Sequence, residues 1–214
     1  MAEAFAIRRP YRPRRDTAAI LRLIRRELAP LSRKPISREA LTDRALAERI
    51  RTGRTLVAAG RGGKVLGFIH VMTAERPNAP ARLQIDLLAV EPGSRGRGIG
   101  SALLREAEAW GRARRCGDAT LFVDEGNDRA LLFYARAGYR IVRCWPQLRC
   151  WELFKPLASD APGAEWFPAF PGAPSAASGG RPPASARPKQ RRPRQITAKA
   201  ARNGRLFPFT RFTR

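Results

Sequence analysis

The sequence predicts an α+β (mixed α/β) domain of six to seven strands and about four helices, followed by a basic extension. Three observations support this prediction: apolar runs of strand length, amphipathic runs of helical spacing, and a change of composition near Ala158. A chain of 214 residues suits one domain with an extension, and we find no internal repeat. About 150 residues are enough to bury a hydrophobic core.

The strand candidates are short apolar runs bounded by turn residues. They cover residues 6–9, 55–59, 65–73, 81–90, 120–123, 139–143 and 151–157. The glycine-rich stretch 60–64 predicts a hairpin between the second and third candidates, and Pro77 and Pro80 predict a loop before the fourth. The fourth candidate ends in the dense apolar run 87–90, which suits a strand that is covered on both faces.

Helices are predicted where apolar residues recur at helical spacing. The first begins at Asp16 as N-cap and ends at Pro30, and the second begins at Ser37 and ends at Gly53. The third and fourth cover residues 99–115 and 129–137, and Gly138 follows the fourth at the position where helices commonly end.

Composition divides the chain into a folded domain, residues 1–157, and a basic tail, residues 158–214. The tail is rich in Ala, Pro, Gly, Ser and Arg and lacks a periodic apolar pattern, so we expect it to be disordered. Its dispersed arginines and Phe207, Phe209 and Phe212 suggest a weak contact with nucleic acid; the alternative is a tail without function.

Several classes of protein are disfavoured by composition. The sequence has no long apolar run and no recognisable secretory signal, so we expect a cytoplasmic protein without a membrane contact. Three cysteines without a zinc-ligand spacing argue against a disulfide framework and a metal site. The single histidine, His70, lies in an apolar run and is expected to be a strand residue. A net charge of +24 favours anionic ligands, although a bias in genome composition would also explain it.

The strongest motif is the loop 90–101, Val-Glu-Pro-Gly-Ser-Arg-Gly-Arg-Gly-Ile-Gly-Ser, between an apolar strand and an amphipathic helix. Glycines allow tight turns, and free amides at a helix N-terminus suit a pyrophosphate. The P-loop lysine is absent, and the dinucleotide-binding fingerprint lacks its third glycine at Leu103. Arg95, Gly98 and Gly100 instead match the acyl-CoA pattern Arg/Gln-x-x-Gly-x-Gly/Ala.

A second motif follows in residues 127–139, where Asn127, Ala130, the pair Phe133-Tyr134 and the pair Gly138-Tyr139 occur in order. Together the two motifs resemble the signatures of the GNAT superfamily of acyl-CoA N-acyltransferases, over most of residues 5–157. The resemblance implies the GNAT fold, a central, twisted, mostly antiparallel sheet flanked by helices. It also implies an acetyltransferase of class EC 2.3.1 that uses acetyl-CoA and no metal.

The resemblance assigns the donor site to two elements. The backbone of Leu88, Ala89 and Val90 is expected to pair with the pantetheine arm, and Asn127 to hydrogen-bond it. The pyrophosphate is expected to lie against the loop and helix start, namely Arg95, Gly96, Arg97, Gly98, Ile99, Gly100 and Ser101.

The resemblance also implies that the amine attacks the thioester directly, and the departing thiolate then requires an acid. Tyr134 is the expected acid, since a phenol with a pKa of roughly 10 stays protonated beside a thiol of roughly 8.5. A core position on the helix face is the alternative for Tyr134 and our interpretation of Phe133.

Asp86 is the expected base, because a carboxylate in an apolar strand is costly unless it is paired or functional. An ion pair with an arginine is the alternative. Asp124 and Glu125 are further candidates, and Gln84 and Glu91 weaker ones. Ribosomal-protein-type relatives place a glutamate where this chain has Phe122.

The resemblance implies that the amine acceptor binds between residues 27–48 and 144–151, where Trp145 and Trp151 either line a pocket or belong to the core. The acceptor class stays open: a small molecule, a peptide or protein, or an RNA-linked amine such as aminoacyl-tRNA. A nucleic-acid-associated basic protein is the alternative function. A homodimer is a further expectation.

Overall fold

The computed structural model describes residues 5–8, 11–32, 38–157 and 212–213. The described strands form one sheet with the order β1-β2-β3-β4-β5-β7-β6, and a short strand β8 also pairs with β4. Their bounds are β1 Ala6–Arg8, β2 Arg54–Ala59, β3 Val65–Arg76, β4 Ala79–Val90, β5 Asp118–Asp124, β6 Arg140–Trp145, β7 Cys150–Pro156 and β8 Phe212–Thr213. Neighbouring strands are antiparallel except that β4 is parallel to β5 and to β8. The mixed α+β class and the mostly antiparallel sheet are thereby confirmed.

Four α-helices flank this sheet in the described part of the chain. They are α1 Pro13–Leu23, α2 Asp43–Arg51, α3 Ile99–Ala113 and α4 Asp128–Arg136. A π-helical segment, Ile24–Leu28, extends α1, and a short 3₁₀ turn, Ala29–Leu31, follows it.

Two hydrophobic clusters lie on the two faces of the sheet. Alternate side chains of β2 divide between them, because Leu56 and Ala58 join one cluster and Val57 joins the other. The first cluster contains residues of α3 and α4, and the second contains residues of α1, the π-helical segment and α2. The sheet is therefore covered on both faces, as the dense apolar run at the end of β4 predicts.

The starts of two helices differ from expectation. Helix α1 begins at Pro13 rather than after Asp16; the Asp16 carboxylate lies in the first turn and accepts the Arg12 amide at 2.7 Å. Helix α2 begins after Thr42, whose hydroxyl caps the Ala45 amide, and Ser37 lies outside the described residues.

Pro80 lies inside β4 instead of in a loop. At that end β4 pairs with β3 through Ala79, whereas its pairing with β5 begins only at Arg82. A missing amide is tolerated there, since the exposed Pro80 has no strand beside it on the β5 side.

The predicted disorder of the tail falls on residues outside the described part, apart from β8. Strand β8 pairs Phe212 with Leu87 and Thr213 with Leu88. Among the described helices, none is both long enough and apolar enough to cross a membrane.

Candidate active site

A cleft opens where β4 and β5 separate. Their parallel pairing joins residues 82–84 to residues 118–120 and continues no further along β4. The backbone of Leu88, Ala89 and Val90 follows on β4, with the side chains of Leu88 and Ala89 buried. Part of this edge, at Leu87 and Leu88, is paired with β8. At one end of this edge, an extended segment of the chain itself thus adds as a strand to β4.

The loop after β4 forms a cradle of backbone amides at the start of α3. Gly96 and Gly98 have φ angles of 73° and 75°, a left-handed conformation that side chains other than glycine rarely adopt. A Cβ atom at either glycine would meet nothing within 4 Å, so the backbone there faces open space rather than neighbouring atoms. Gly98 is the N-cap, and the first amides of the 15-residue helix α3 follow it. This geometry is that of an anion site.

A cavity of about 400 Å³ lies against this cradle. Seven of the predicted donor-site residues line it: Val90, Arg95, Gly96, Gly98, Ile99, Gly100 and Ser101. Ser94, Arg129 and Phe133 also line it and were missed by the sequence analysis. Arg129 had a usable signal, since it is a basic residue in the first turn of the helix that the second motif begins. Leu88, Ala89, Arg97 and Asn127 are not part of the lining.

Helix α4 places both residues of the second motif that were assigned a role. Asn127 is its N-cap, and the Asn127 side-chain oxygen accepts the Ala130 amide at 3.3 Å. Tyr134 is fully buried and packs edge-to-face against Phe133 and Tyr139, with ring centroids 4.9 and 5.6 Å apart. Phe133 lines the cavity, so Tyr134 packs directly against a residue of the cavity wall.

Asp86 is the extra residue of a bulge in β4. His70 of β3 pairs with Leu87 and Val71 with Ile85, so Asp86 has no partner across the strands. The Asp86 carboxylate is fully buried, and the guanidinium of Arg49 from α2 donates to both of its oxygens, with Nε 2.7 Å from Oδ2. The carboxylate is thus held as one half of a buried ion pair.

His70 lies beside this pair on β3, as expected for a strand residue. Its Nδ1 is 3.0 Å from the Thr55 hydroxyl, and its Nε2 is 3.8 Å from an Asp86 oxygen. Burial lowers the pKa of His70 to about 4; the Asp86 charge opposes this shift and the Arg49 charge adds to it. The imidazole is therefore neutral near pH 7.

The other candidate bases have separate environments. Asp124 at the end of β5 is buried, and Gln84 is buried in β4. Glu125 pairs with Arg149 at 3.0 Å, and Glu91 pairs with Arg26 at 2.5 Å. In the described residues, no three His, Cys, Asp or Glu side chains come together as a metal site requires.

The two tryptophans of the expected acceptor region differ in environment. The Trp145 indole donates to Glu152 at 3.0 Å and lies under the Arg143 guanidinium, whereas Trp151 packs against the first hydrophobic cluster. Of the two tryptophans, Trp145 is therefore the one with polar and charged neighbours.

Comparison with known proteins agrees with this architecture. The chain is 36% identical over 85 residues to a mycothiol acetyltransferase of Salinispora arenicola, and the matched region covers 39% of this chain and 28% of that protein. It is 38% identical over 86 residues to a streptothricin acetyltransferase of Streptomyces lavendulae, covering 40% of this chain and 44% of that protein. The matches thus span less than half the length of these curated relatives.

A solved structure shows the same fold. The PaiA N-acetyltransferase of Thermoplasma acidophilum, in complex with coenzyme A, superposes with a TM-score of 0.59 at 18% identity, covering 72% of this chain and 99% of that one. Residues 19–139, more than half of the chain, match the sequence model of the Acetyltransferase (GNAT) family. The chain therefore belongs to the GNAT acetyltransferase family.

Proposed function

We propose that the protein transfers the acetyl group of acetyl-CoA to a primary amine. The observation that carries this proposal is the cavity at the N-terminus of α3, beside the cleft between β4 and β5. A family of acetyltransferases and relatives named for that activity support it.

The residues present fit the pyrophosphate of CoA. Gly96 and Gly98 expose backbone without side chains, and the α3 N-terminus supplies amides and the positive end of a dipole. Arg95 and Arg129 add two guanidinium groups to the wall. Acetyl-CoA would supply an activated thioester, and the chain's part is to hold and orient it.

The pantetheine arm is proposed to pair with the backbone of Leu88, Ala89 and Val90 and to contact Asn127. An arm at Leu88 would take the place that β8 occupies there. We therefore expect removal of residues 212–214 to leave the affinity for acetyl-CoA unchanged or to raise it, never to abolish it.

Tyr134 is the proposed acid. When the amine nitrogen bonds to the acyl carbon and the carbon–sulfur bond breaks, the thiolate needs a proton, which the phenol can donate. The edge-to-face contact of Tyr134 with Phe133, which lines the cavity, supports this role because it places the phenol ring next to the cavity wall.

Asp86 is the proposed base that receives the proton lost by the amine. Its pairing with Arg49 means that the guanidinium must release an oxygen before a proton can be accepted there. The alternative is a purely structural ion pair. Asp86→Asn breaks the pair with Arg49 under either role, so the turnover of the folded protein separates them: loss of a base lowers it with retained acetyl-CoA affinity, whereas loss of a purely structural pair lowers the melting temperature and leaves it nearly unchanged.

A second acceptor class is an amine carried on RNA. The exposed arginines Arg25 and Arg26 lie directly before the proposed acceptor region 27–48, and the net charge of +24 favours a polyanionic partner. An acetylation rate that falls steeply with salt for aminoacyl-RNA, but not for a free amino acid amide, would support it.

The test of the proposed function is ligand-dependent melting of the full chain. Acetyl-CoA, CoA, NADH and ATP are compared one at a time, in low and moderate salt, because a protein of charge +24 also attracts other anions. A ligand at 100 times its Kd stabilises the native state by about 2.7 kcal/mol. We expect the two CoA compounds to raise the melting temperature in both salt conditions. Equal shifts with all four ligands, or none, would contradict the proposal.

A further inference from the structure

Four charged side chains join α1 to the cradle: Arg26, Glu27, Glu91 and Arg95, here called the α1–loop network. Arg26 donates to Glu27 at 2.6 Å and to Glu91 at 2.5 Å, and Arg95 donates to the second oxygen of Glu27. Two of the four, Glu91 and Arg95, belong to the loop after β4, and the other two to the π-helical segment. The network therefore connects the helices on one face of the sheet to the loop that leads into α3.

Glu27 is the buried member. Its side chain is 8% exposed, and its neighbours Ile24 and Leu28 belong to the second hydrophobic cluster. Burial alone would raise the pKa of Glu27, but hydrogen bonds from Arg26 and Arg95 and their charges hold it below its ordinary value. The residue is thus a carboxylate, and a buried carboxylate without these partners would be strongly unfavourable.

Arg95 is held at two points. Its Nη2 donates to Glu27, and its Nε donates to the Val90 carbonyl at 3.3 Å. An unrestrained arginine loses rotamer entropy when it is fixed. A guanidinium that the protein has already fixed avoids much of that cost when an anion binds. Because Arg95 also lines the cavity, its position sets the shape of the cradle.

We propose that Glu27 is a positioning residue that fixes Arg95 and, through it, the pyrophosphate cradle. The inference rests on the proposed function, because it assumes that the cavity takes CoA. It assigns a donor-site role to a residue on the opposite face of the sheet, outside both sequence motifs. Glu27 acts through Arg95 and does not touch the ligand.

Calorimetric titration with two donors tests this role. Acetyl-CoA carries the pyrophosphate, and S-acetylpantetheine carries the thioester arm without it. We expect Glu27→Gln to weaken binding of acetyl-CoA about tenfold and to leave S-acetylpantetheine unchanged, since the amide keeps the shape but not the charge. Arg95→Ala should weaken acetyl-CoA binding by a similar factor. Because both residues act through the same contact, the double variant should bind acetyl-CoA no less tightly than the single variant with the lower affinity.

Asp43→Asn is the matched control. Its carboxylate pairs with Arg25 of the same π-helical segment, but Asp43 is exposed and belongs to α2, so this pair does not involve the loop. We expect acetyl-CoA affinity unchanged in this variant. If Glu27→Gln does not fold, Glu27→Asp with its shortened side chain replaces it and should give the same donor-selective loss.

Three outcomes would overturn the inference: unchanged acetyl-CoA affinity in the Glu27 variant, an equal loss for both donors, or additive losses in the double variant. Failure of the unchanged protein to bind acetyl-CoA is a different result. It would contradict the proposed function itself, and the inference with it.

Discussion

The two faces of the sheet build their polar sites in different ways. On the α3 face, the donor cavity is made largely of backbone: the end of β4, two glycines in the left-handed conformation and the first turn of a helix. On the α1–α2 face, the polar groups are side chains from separate segments, joined in pairs such as Arg49 with Asp86 and Arg25 with Asp43. A site made of backbone is formed by consecutive residues, so it can be recognised in the sequence. In a site made of side-chain pairs, the fold determines which residues become partners.

The largest expected effect concerns Tyr134. Tyr134→Phe removes only the hydroxyl, and loss of a general acid typically lowers turnover by about 10² to 10⁴. We expect such a loss with the affinity for acetyl-CoA nearly unchanged, because the ring packing is kept. The measurement is steady-state turnover with the best amine from an acceptor screen, followed by mass spectrometry of the product.

Tyr139→Phe is the control for this comparison. Tyr139 is also a tyrosine and is nearly as buried as Tyr134. Burial and the Glu108 charge raise the pKa of the Tyr139 phenol well above its ordinary value. Turnover should stay close to that of the unchanged protein. If the two variants lose turnover equally, the packing of the aromatic group matters and Tyr134 is not the acid.

The polar cluster on the α1–α2 face should make stability depend on pH. The pKa of His70 is about 4 in the folded protein and about 6.5 when unfolded, so the unfolded state binds more protons between these values. The stabilisation is complete above about pH 6.5 and is lost as the pH falls towards 4. Between pH 7.5 and pH 5 we expect the free energy of unfolding to fall by about 2 kcal/mol from this group.

Urea unfolding of the unchanged protein and of His70→Asn at these two pH values measures this contribution. The groups that face His70 are Thr55, Asp86 and Arg49, and all three are kept in the variant. The pH slope should be smaller in the variant whatever its absolute stability. An unchanged slope would show that His70 does not take up a proton on unfolding.

The smallest expected effect concerns the backbone cradle. Gly98→Ala places a side chain at a φ of 75°, where a Cβ costs roughly 1–2 kcal/mol, although space for the methyl group is available. We expect the helix start to shift and acetyl-CoA affinity to fall about tenfold. Titration calorimetry measures it.

Gly93→Ala is the matched substitution in the same loop. Its Cβ would also meet nothing within 4 Å, but Gly93 is not among the residues with positive φ. Affinity should therefore be unchanged. Equal losses in the two variants would mean that bulk in the loop, rather than backbone conformation, determines binding.

The same contrast explains what the sequence predicted. The start of α3 at Ile99 and the cradle glycines follow from consecutive residues, and the structure places them around one cavity. The sequence predicted that Asp86 could pair with an arginine but not with which one. The chain contains 42 lysine and arginine residues, and only the fold brings Arg49 next to Asp86.

Other features had no local signal. Glu27 was included only as one end of the broad acceptor region 27–48. No motif near Glu27 indicates its contact with Arg95, which lies 68 residues further along the chain. The π-helical segment was predicted as ordinary helix, since its apolar spacing hardly differs from that of an α-helix. Pro80 was placed in a loop because an edge without a partner cannot be recognised before the strand order is known.

The central claim is that backbone amides at the start of α3 hold the pyrophosphate of acetyl-CoA. Its most direct test is amide NMR of the ¹⁵N-labelled full chain during titration with acetyl-CoA. We predict that the largest shifts fall on the amides of Gly96, Gly98, Ile99 and Gly100, and that S-acetylpantetheine leaves them nearly unmoved. Saturable binding of acetyl-CoA with these four amides unshifted would contradict the claim.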